Sequence, residues 1–387
     1  MPRTRGRLWL LALIVALVLA DTTIVATQSG PTRRVADFTI GYSAATLLRE
    51  GRWNAIYDQQ QLGARMVSLA GGAPVDPRLP FNEPPAALIP FLALSLLSLD
   101  AAFRVWQLVS LALLAAAILV LRQALPLGRW AGGVAFAAVL ASLPAVLTLT
   151  EGQLTAVLVL GAAFLVRSAL HGGTISAALG IGLLAIKPQY VAFYVAVLIA
   201  ARQWKSVTVA VAAASAVALG AFQMGLLVPM IRQMSRANVV SPLHTNVSWI
   251  GSFAMLPEGL AGALALVLFF VAVLGILVAA WRFRGDLRAF TCLATSLCVV
   301  AVPHALAHDV LLLLIPAWLA FHLHRQGHLS SPVPALLIVE GGLLVDRASS
   351  LPAITPVLIT GLVCWYGWDF TRRRIEKRDY FLTVASR

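Results

Sequence analysis

Charge is scarce in this chain. Lys, Arg, Asp and Glu make up 12% of its residues, about half the roughly 25% of a soluble domain, while apolar residues reach 60%. No stretch remains that could house a soluble domain of ordinary size, so the chain reads as a polytopic membrane protein. Cysteine is scarcer still. Cys292, Cys298 and Cys364 lie inside apolar runs without metal-ligand spacing, which excludes a disulfide frame or thiolate zinc site and leaves them as small core residues. No convincing repeat relates the two halves, as would be expected of many secondary transporters. Acids are outnumbered, 16 to 29, for a net charge of +13. In a soluble chain that excess would suggest nucleic acid. Here nearly all the basic residues fall in short loops between apolar runs, where they set orientation, and no nucleic-acid partner is expected.

Long hydrophobic runs are what the chain has instead. Arg3, Arg5 and Arg7 precede the first, roughly Leu8 to Ala26, and place the N-terminus in the cytoplasm. An uncleaved anchor is preferred to a cleaved signal peptide, which shares the basic start. The longest polar stretch, Thr27 to Glu83, then lies outside. If the apolar run Pro84 to Leu99 crossed the membrane, Arg122 and Arg129 would fall outside and every later loop would oppose the positive-inside rule. Lodged in the outer leaflet, it leaves spans near 102–121, 131–149, 154–170, 174–187, 188–201, 206–228, 259–281, 289–303, 308–323, 333–346 and 351–370. Arg122/Arg129, Arg167/His171, Arg202/Lys205, Arg282/Arg284/Arg288, His324/Arg325 and the Arg372 to Arg378 tail then all lie inside. The expectation is an all-α polytopic protein of the plasma membrane with about 12 transmembrane helices and both termini cytoplasmic. One transmembrane domain covers 1–370, with a first external loop with juxtamembrane helices at 27–101, a second large external loop at 229–257, and a basic cytoplasmic tail at 371–387.

The same arrangement sorts the rare polar residues to the external face: Asp37, Glu83, Glu151, Gln153, Lys187, Gln189, His244, His304, His308 and Asp309. Ionisable groups near the bilayer are costly and tend to surround a pathway or a site. Asp37 opens a segment, Phe38 to Glu50, with helical spacing and a stop at Gly51. It is either the N-cap of a surface helix or a carboxylate able to take a proton from a substrate hydroxyl. Glu50, Asp58 and Asp76 compete with it in the same loop. Lys187 is one of three lysines, set among apolar residues at a Pro188 break. An unpaired lysine at mid-membrane costs roughly 3 kcal/mol, so it either holds an anion or snorkels to the interface. On the first reading, Lys187→Met weakens anion binding without unfolding the chain. Glu151-Gly152-Gln153 is either a polar turn or a turn presenting a carboxylate and an amide together. His304 and His308 would share a face on a continuous helix. The sequence lacks H-E-x-x-H, and hydrogen bonding to a phosphate or sugar is favoured over zinc.

The succession Asp37-Phe38…Tyr42-Ser43-Ala44…Leu48…Gly51…Ile56-Tyr57-Asp58, then Pro80-Phe81-Asn82-Glu83-Pro84-Pro85, then Trp106, resembles glycosyltransferase family 87. Glu151-Gly152-Gln153, Ile186-Lys187-Pro188 with Arg202-Gln203-Trp204, and Pro303-His304 with His308-Asp309 are similar to its later segments, so the likeness runs over about 35 to 325. The resemblance implies a GT-C fold and transfer of a hexose, in this family mannose, from a polyprenyl-phosphate donor to a glycolipid or lipoglycan acceptor at the external face, with inversion. It puts Asp37 in the place of the general base. Lys187, His304, His308, Gln153, Glu151 and Glu83 would surround the donor phosphate and sugar. His244, Trp249 and Arg236, in the 229–257 loop, would form a lid or acceptor platform, although Trp249 also suits an interfacial aromatic belt. No cofactor is implied: a monophosphate-linked donor demands no divalent ion, though Asp37 and Glu83 together could bind one. Many relatives carry an aromatic before the Pro-Pro pair where this chain has Asn82-Glu83, which leaves acceptor and sugar open. The rival class is a multi-span transporter or lipid flippase.

Overall fold

The computed structural model describes residues 36–72, 75–128, 130–230, 232, 243–349 and 351–385. The expected first span, its leading arginines, Arg129 and Arg236 lie outside the described residues. Those described form helices and 3-10 turns and no strand. Three short helices come first: α1 (Ala36–Arg49), α2 (Gln59–Leu69) and α3 (Ile89–Leu94). A helical bundle follows: α4 (Leu99–Ala124), α5 (Ala131–Leu140), α6 (Leu143–Glu151), α7 (Thr155–His171), α8 (Thr174–Leu184), α9 (Val191–Ala200), α10 (Trp204–Gln223), α11 (Trp249–Ser252), α12 (Glu258–Arg282), α13 (Leu287–Ala301), α14 (Leu314–Arg325), α15 (Val333–Ala348) and α16 (Thr355–Ala385).

The centre is α7. Residues on every side of it, among them Ala156, Leu158, Val159, Ala162, Ala163, Leu165 and Val166, are buried, as expected of a helix enclosed by others rather than facing lipid. Its neighbours α4 and α8 pack along it. The α7–α8 approach depends on glycine: a Cβ on Gly161 would stand 2.8 Å from the Gly180 carbonyl oxygen, and one on Gly180 would meet the Gly161 oxygen at the same distance. Small residues allow helices to close on each other where lipid offers no hydrophobic drive to association. At the periphery α12 leaves Leu264, Val267, Phe270, Val271, Leu274 and Val278 exposed, a lipid-facing surface on a helix long enough to cross.

Among the described residues four helical stretches can span a membrane by length and composition: Leu99–Ala124, Trp204–Gln223, Glu258–Arg282 and Ala307–Arg325. The α5–α6 pair makes five if its 65° bend is taken as one broken crossing. The twelve crossings expected are not confirmed, and the first of them lies outside the described residues. The runs at 154–170, 174–187, 188–201 and 289–303 fold as shorter apolar helices of 10–17 residues, where about 20 residues are needed for a ~30 Å hydrocarbon core. Pro85–Leu94 is likewise short. At 1.5 Å per residue it reaches about 15 Å, half the core thickness.

The apolar run at 84–99 instead carries α1. Phe38 lies 5.5 Å from Phe91 and 5.3 Å from Phe103, and Phe91 lies 5.6 Å from Trp106. The Tyr42 hydroxyl donates to the Leu97 carbonyl at 2.6 Å, and Arg49 Nη1 donates to the Ser95 carbonyl at 2.6 Å. These contacts fasten α1 to the start of α4. The other end of the bundle is basic. Arg167 donates to Gln123, His171 lies 2.7 Å from the Ala124 carbonyl, Arg202 donates to the Trp281 carbonyl, and Arg288 donates to Gln326. The length of α7, about 25 Å at 1.5 Å per residue, separates this end from the polar residues at Thr155. Cys292 and Cys298 are buried as expected, but Cys364 is exposed on α16 and is not a core residue.

Candidate active site

The first turn of α1 places Asp37, and Gly51, in the left-handed region at φ +75°, ends the helix as its sequence position suggests. Asp37 lies inside the helix rather than capping it, and its carboxylate accepts from Gln153 Nε2, 116 residues away. Gln153 is held there by the turn that ends α6. Gly152 adopts φ +71°, and a Cβ on it would stand 2.6 Å from Phe38 Cβ. Its carbonyl accepts the Trp106 indole N–H at 2.9 Å. Only glycine fits both the left-handed backbone and the packed ring, so this turn delivers Gln153 to Asp37.

A cavity of about 110 Å³ opens beside this pair, walled by Asp37 and Gly41, the 79–83 segment, Gly152–Leu154, Lys187, His304, Leu306 and His308. Glu83 reaches it because Pro84 and Pro85 stiffen the chain that follows and Tyr57 donates to the Glu83 carbonyl at 2.7 Å. Lys187 sits between the end of α8 and the Pro188–Tyr190 turn. Its Nζ donates to both oxygens of the fully buried Asp309, at 2.9 and 3.1 Å, and stands 3.9 Å from Glu83 Oε1. Asp309 also accepts the Leu306 backbone N–H at 3.2 Å. His308 lies 3.7 Å from Glu151 through Nδ1 and 3.7 Å from Asp309 through Nε2, and Arg347 reaches Glu151 at 3.6 Å.

The environment sets the charges. Burial, with Glu151 nearby, lifts Asp37 to about 6, against the pull of His308, Lys187 and Arg347. Burial lifts Glu83 to about 7 despite Lys187. Burial and Lys187 hold His304 down to about 4, so its imidazole is neutral at pH 7. Its tautomer follows from its neighbour. Asn246 Oδ1 accepts the Ala305 backbone N–H at 2.8 Å, which fixes the amide nitrogen toward His304 Nδ1 at 3.1 Å. Nδ1 is therefore the acceptor and the proton sits on Nε2. His304 offers a neutral hydrogen-bond donor, not a cation.

Residues 81–316, more than half of the chain, match the profile of glycosyltransferase family 87. The chain belongs to that family. No curated protein matches it. As a member of family 87 it is a membrane glycosyltransferase, which sets aside the transporter and flippase reading. Asp37 precedes the matched stretch, and it is the fold that joins it to the family 87 segments through Gln153.

For this family 87 chain, Asp37, Glu83, Gln153, Lys187, His304 and His308 wall one cavity, and Glu151 stands behind His308. The competing acids do not. Asp58 caps α2 through the Gln60 and Gln61 N–H groups, Asp76 is held by Arg78, and Glu50 is held by Arg65. His244 and Trp249 are not among the cavity's lining residues. The Trp249 indole donates to Thr360 on α16 at 3.0 Å, which ties the loop to the bundle. His304 and His308 do not share a continuous helix, because His304 lies in the 302–306 loop ahead of the Ala307–Leu313 turn. Among the described residues no group of three or more His, Cys, Asp or Glu is arranged to hold a metal. Asp309 as the partner of Lys187, Asn246 as the orienting group for His304, and Arg347 beside Glu151 escaped the sequence reading. The rarity of intramembrane charge could have suggested the first, since a buried lysine asks for a carboxylate; nothing local marks the other two.

Proposed function

We propose that this enzyme transfers a hexose, with mannose the sugar its family resemblance implies, from a polyprenyl-phosphate donor to a glycolipid or lipoglycan acceptor, with inversion, at the external face of the plasma membrane. The observation that carries the reading is one cavity in which a proton acceptor, Asp37, stands across from an ammonium group, Lys187, beside short apolar helices suited to the membrane surface. Asp37 takes the proton of the acceptor hydroxyl as that oxygen forms the new bond to the anomeric carbon. The bond from that carbon to the phosphate oxygen breaks, and polyprenyl phosphate leaves. An acid held near 6 is ionised at neutral pH yet basic enough to share the proton in the transition state. Gln153 aims the carboxylate. Lys187 and the Nε2–H of His304 face the charge that develops on the leaving phosphate, where preorganised donors are most effective.

A GT-C fold with the short helices α1 to α3 lying on the membrane surface is part of this reading, and the gathering of arginine loops at the opposite end supports it, since by the positive-inside rule that end is cytoplasmic. No divalent ion is required by this chemistry, since the leaving group is a monophosphate. Purified enzyme in nanodiscs supplied with radiolabelled polyprenyl-phosphate mannose and an envelope glycolipid extract tests it. Label moving into glycolipid is expected. Label that stays on the donor in every acceptor mixture, while another polyprenyl-phosphate hexose is consumed, would displace mannose; consumption of none would displace the donor class.

A further inference from the structure

Lys187 has three N–H donors. Two are taken by Asp309, whose carboxylate is fully buried and also holds the Leu306 backbone N–H. Glu83 faces the third from 3.9 Å, beyond hydrogen-bond range, and its side chain is the more exposed of the lysine's two carboxylate neighbours, at 20% against 0%. One partner is therefore fixed and the other loose. The loose one stands on the cavity side, where an incoming phosphate would meet the lysine.

The charge count makes that meeting unfavourable as it stands. Four carboxylates, Asp37, Glu83, Glu151 and Asp309, surround the permanent cations Lys187 and Arg347, with His308 between them and neutral His304 at the wall. With all four acids ionised and His308 neutral the cluster is two charges negative, and a phosphate adds a third. We propose that Glu83 competes with the phosphate of the lipid donor for Lys187, so that the donor binds as Glu83 takes up one proton from water and withdraws. The proposal rests on the donor reading above. Glu83 is faced by Lys187 from the turn after α8, by Asp309 and His308 from the 307–313 turn, and by Asp37 from α1. Of the acids, Asp309 is locked on Lys187, Glu151 is engaged by His308 and Arg347, and Asp37 by Gln153. Glu83 alone can free the lysine by becoming neutral. Its position near 7 puts the exchange within the neutral range.

The test measures binding of a short-chain isoprenyl mannosyl phosphodiester, which carries one negative charge at every pH used, to full-length enzyme in nanodiscs between pH 6 and 8.5. An uncharged isoprenyl mannoside is the control. Linkage to a single proton predicts that the diester Kd rises about tenfold or more over this range while that of the mannoside stays level. Calorimetry in two buffers of different ionisation enthalpy should show proton uptake approaching one at pH 8. This part needs no variant. Glu83→Gln should hold the low-pH affinity across the range and bind more tightly than wild type at pH 8. A level wild-type curve, absence of proton uptake, or a slope that survives in Glu83→Gln and vanishes in Asp37→Asn would overturn the proposal while leaving the donor reading intact. Diester binding no tighter than the mannoside at any pH would remove both.

Discussion

At Lys187 the structure changes what a substitution should do. The sequence suggests a lysine that meets an anion only when substrate arrives, so that methionine costs affinity and not folding. The structure gives it a permanent partner, Asp309, buried without exposure. Removing one member of such a pair leaves a charge uncompensated in a low-dielectric interior, typically at about 3–5 kcal/mol. Lys187→Met should therefore lower the melting temperature in detergent as well as donor binding. The double variant Lys187→Met/Asp309→Asn, which removes both charges, should recover most of the stability and none of the binding. A double variant as unstable as the single would show that the pair is not the source of the loss.

At the scale of elements, the turn after α6 is the joint on which the site depends. Gly152→Ala puts a Cβ in the left-handed region, at about 1–2 kcal/mol, and drives it into Phe38. Transfer should fall by more than stability accounts for, because Gln153 moves away from Asp37; a variant of unchanged kcat would mean that the turn does not aim the base. The helices themselves were legible. The α1 boundaries follow from the spacing after Asp37 and the stop at Gly51, and the shortness of the 84–99 segment follows from parity of the arginine loops. The polar residues that meet in the cavity were legible as a set, because each is expensive where it stands. Pairings were not. Nothing in the spacing joins Asp37 to Gln153, or Lys187 to Asp309 across 122 residues; those follow from packing of α7 against its neighbours. The two runs meeting at Pro188, each expected to cross, fold as helices of 10–17 residues, and the 131–149 run, expected as one span, bends by 65° at the Ala141–Ser142 break.

Over the whole molecule, two titrations set the working range. Asp37 must be ionised to act as base, and its pKa is raised from 3.8 to about 6, so kcat/KM should fall as pH drops below about 6. The sign is opposite for folding: a raised carboxylate pKa favours the folded state most below about 4, and that contribution is lost as pH rises through 6. Glu83, raised to about 7, opposes donor binding once ionised, so kcat/KM should fall again above about 7. A bell with its maximum between the two is expected, its apparent limits belonging to the coupled cluster rather than to single residues; a profile level from pH 5 to 9 would contradict both assignments. Removal of the acceptor proton falls to Asp37. Single-turnover transfer by Asp37→Asn in nanodiscs, with donor affinity and melting measured on the same preparation, tests it most directly. Asparagine keeps the size and accepts from Gln153, but it cannot take a proton. Unchanged or raised melting at pH 8 is expected, with near-normal donor binding and transfer slowed by about 10²–10⁴-fold, the range of general-base catalysis. A folded, donor-binding Asp37→Asn enzyme that keeps more than about a tenth of the wild-type rate on that scale would contradict it.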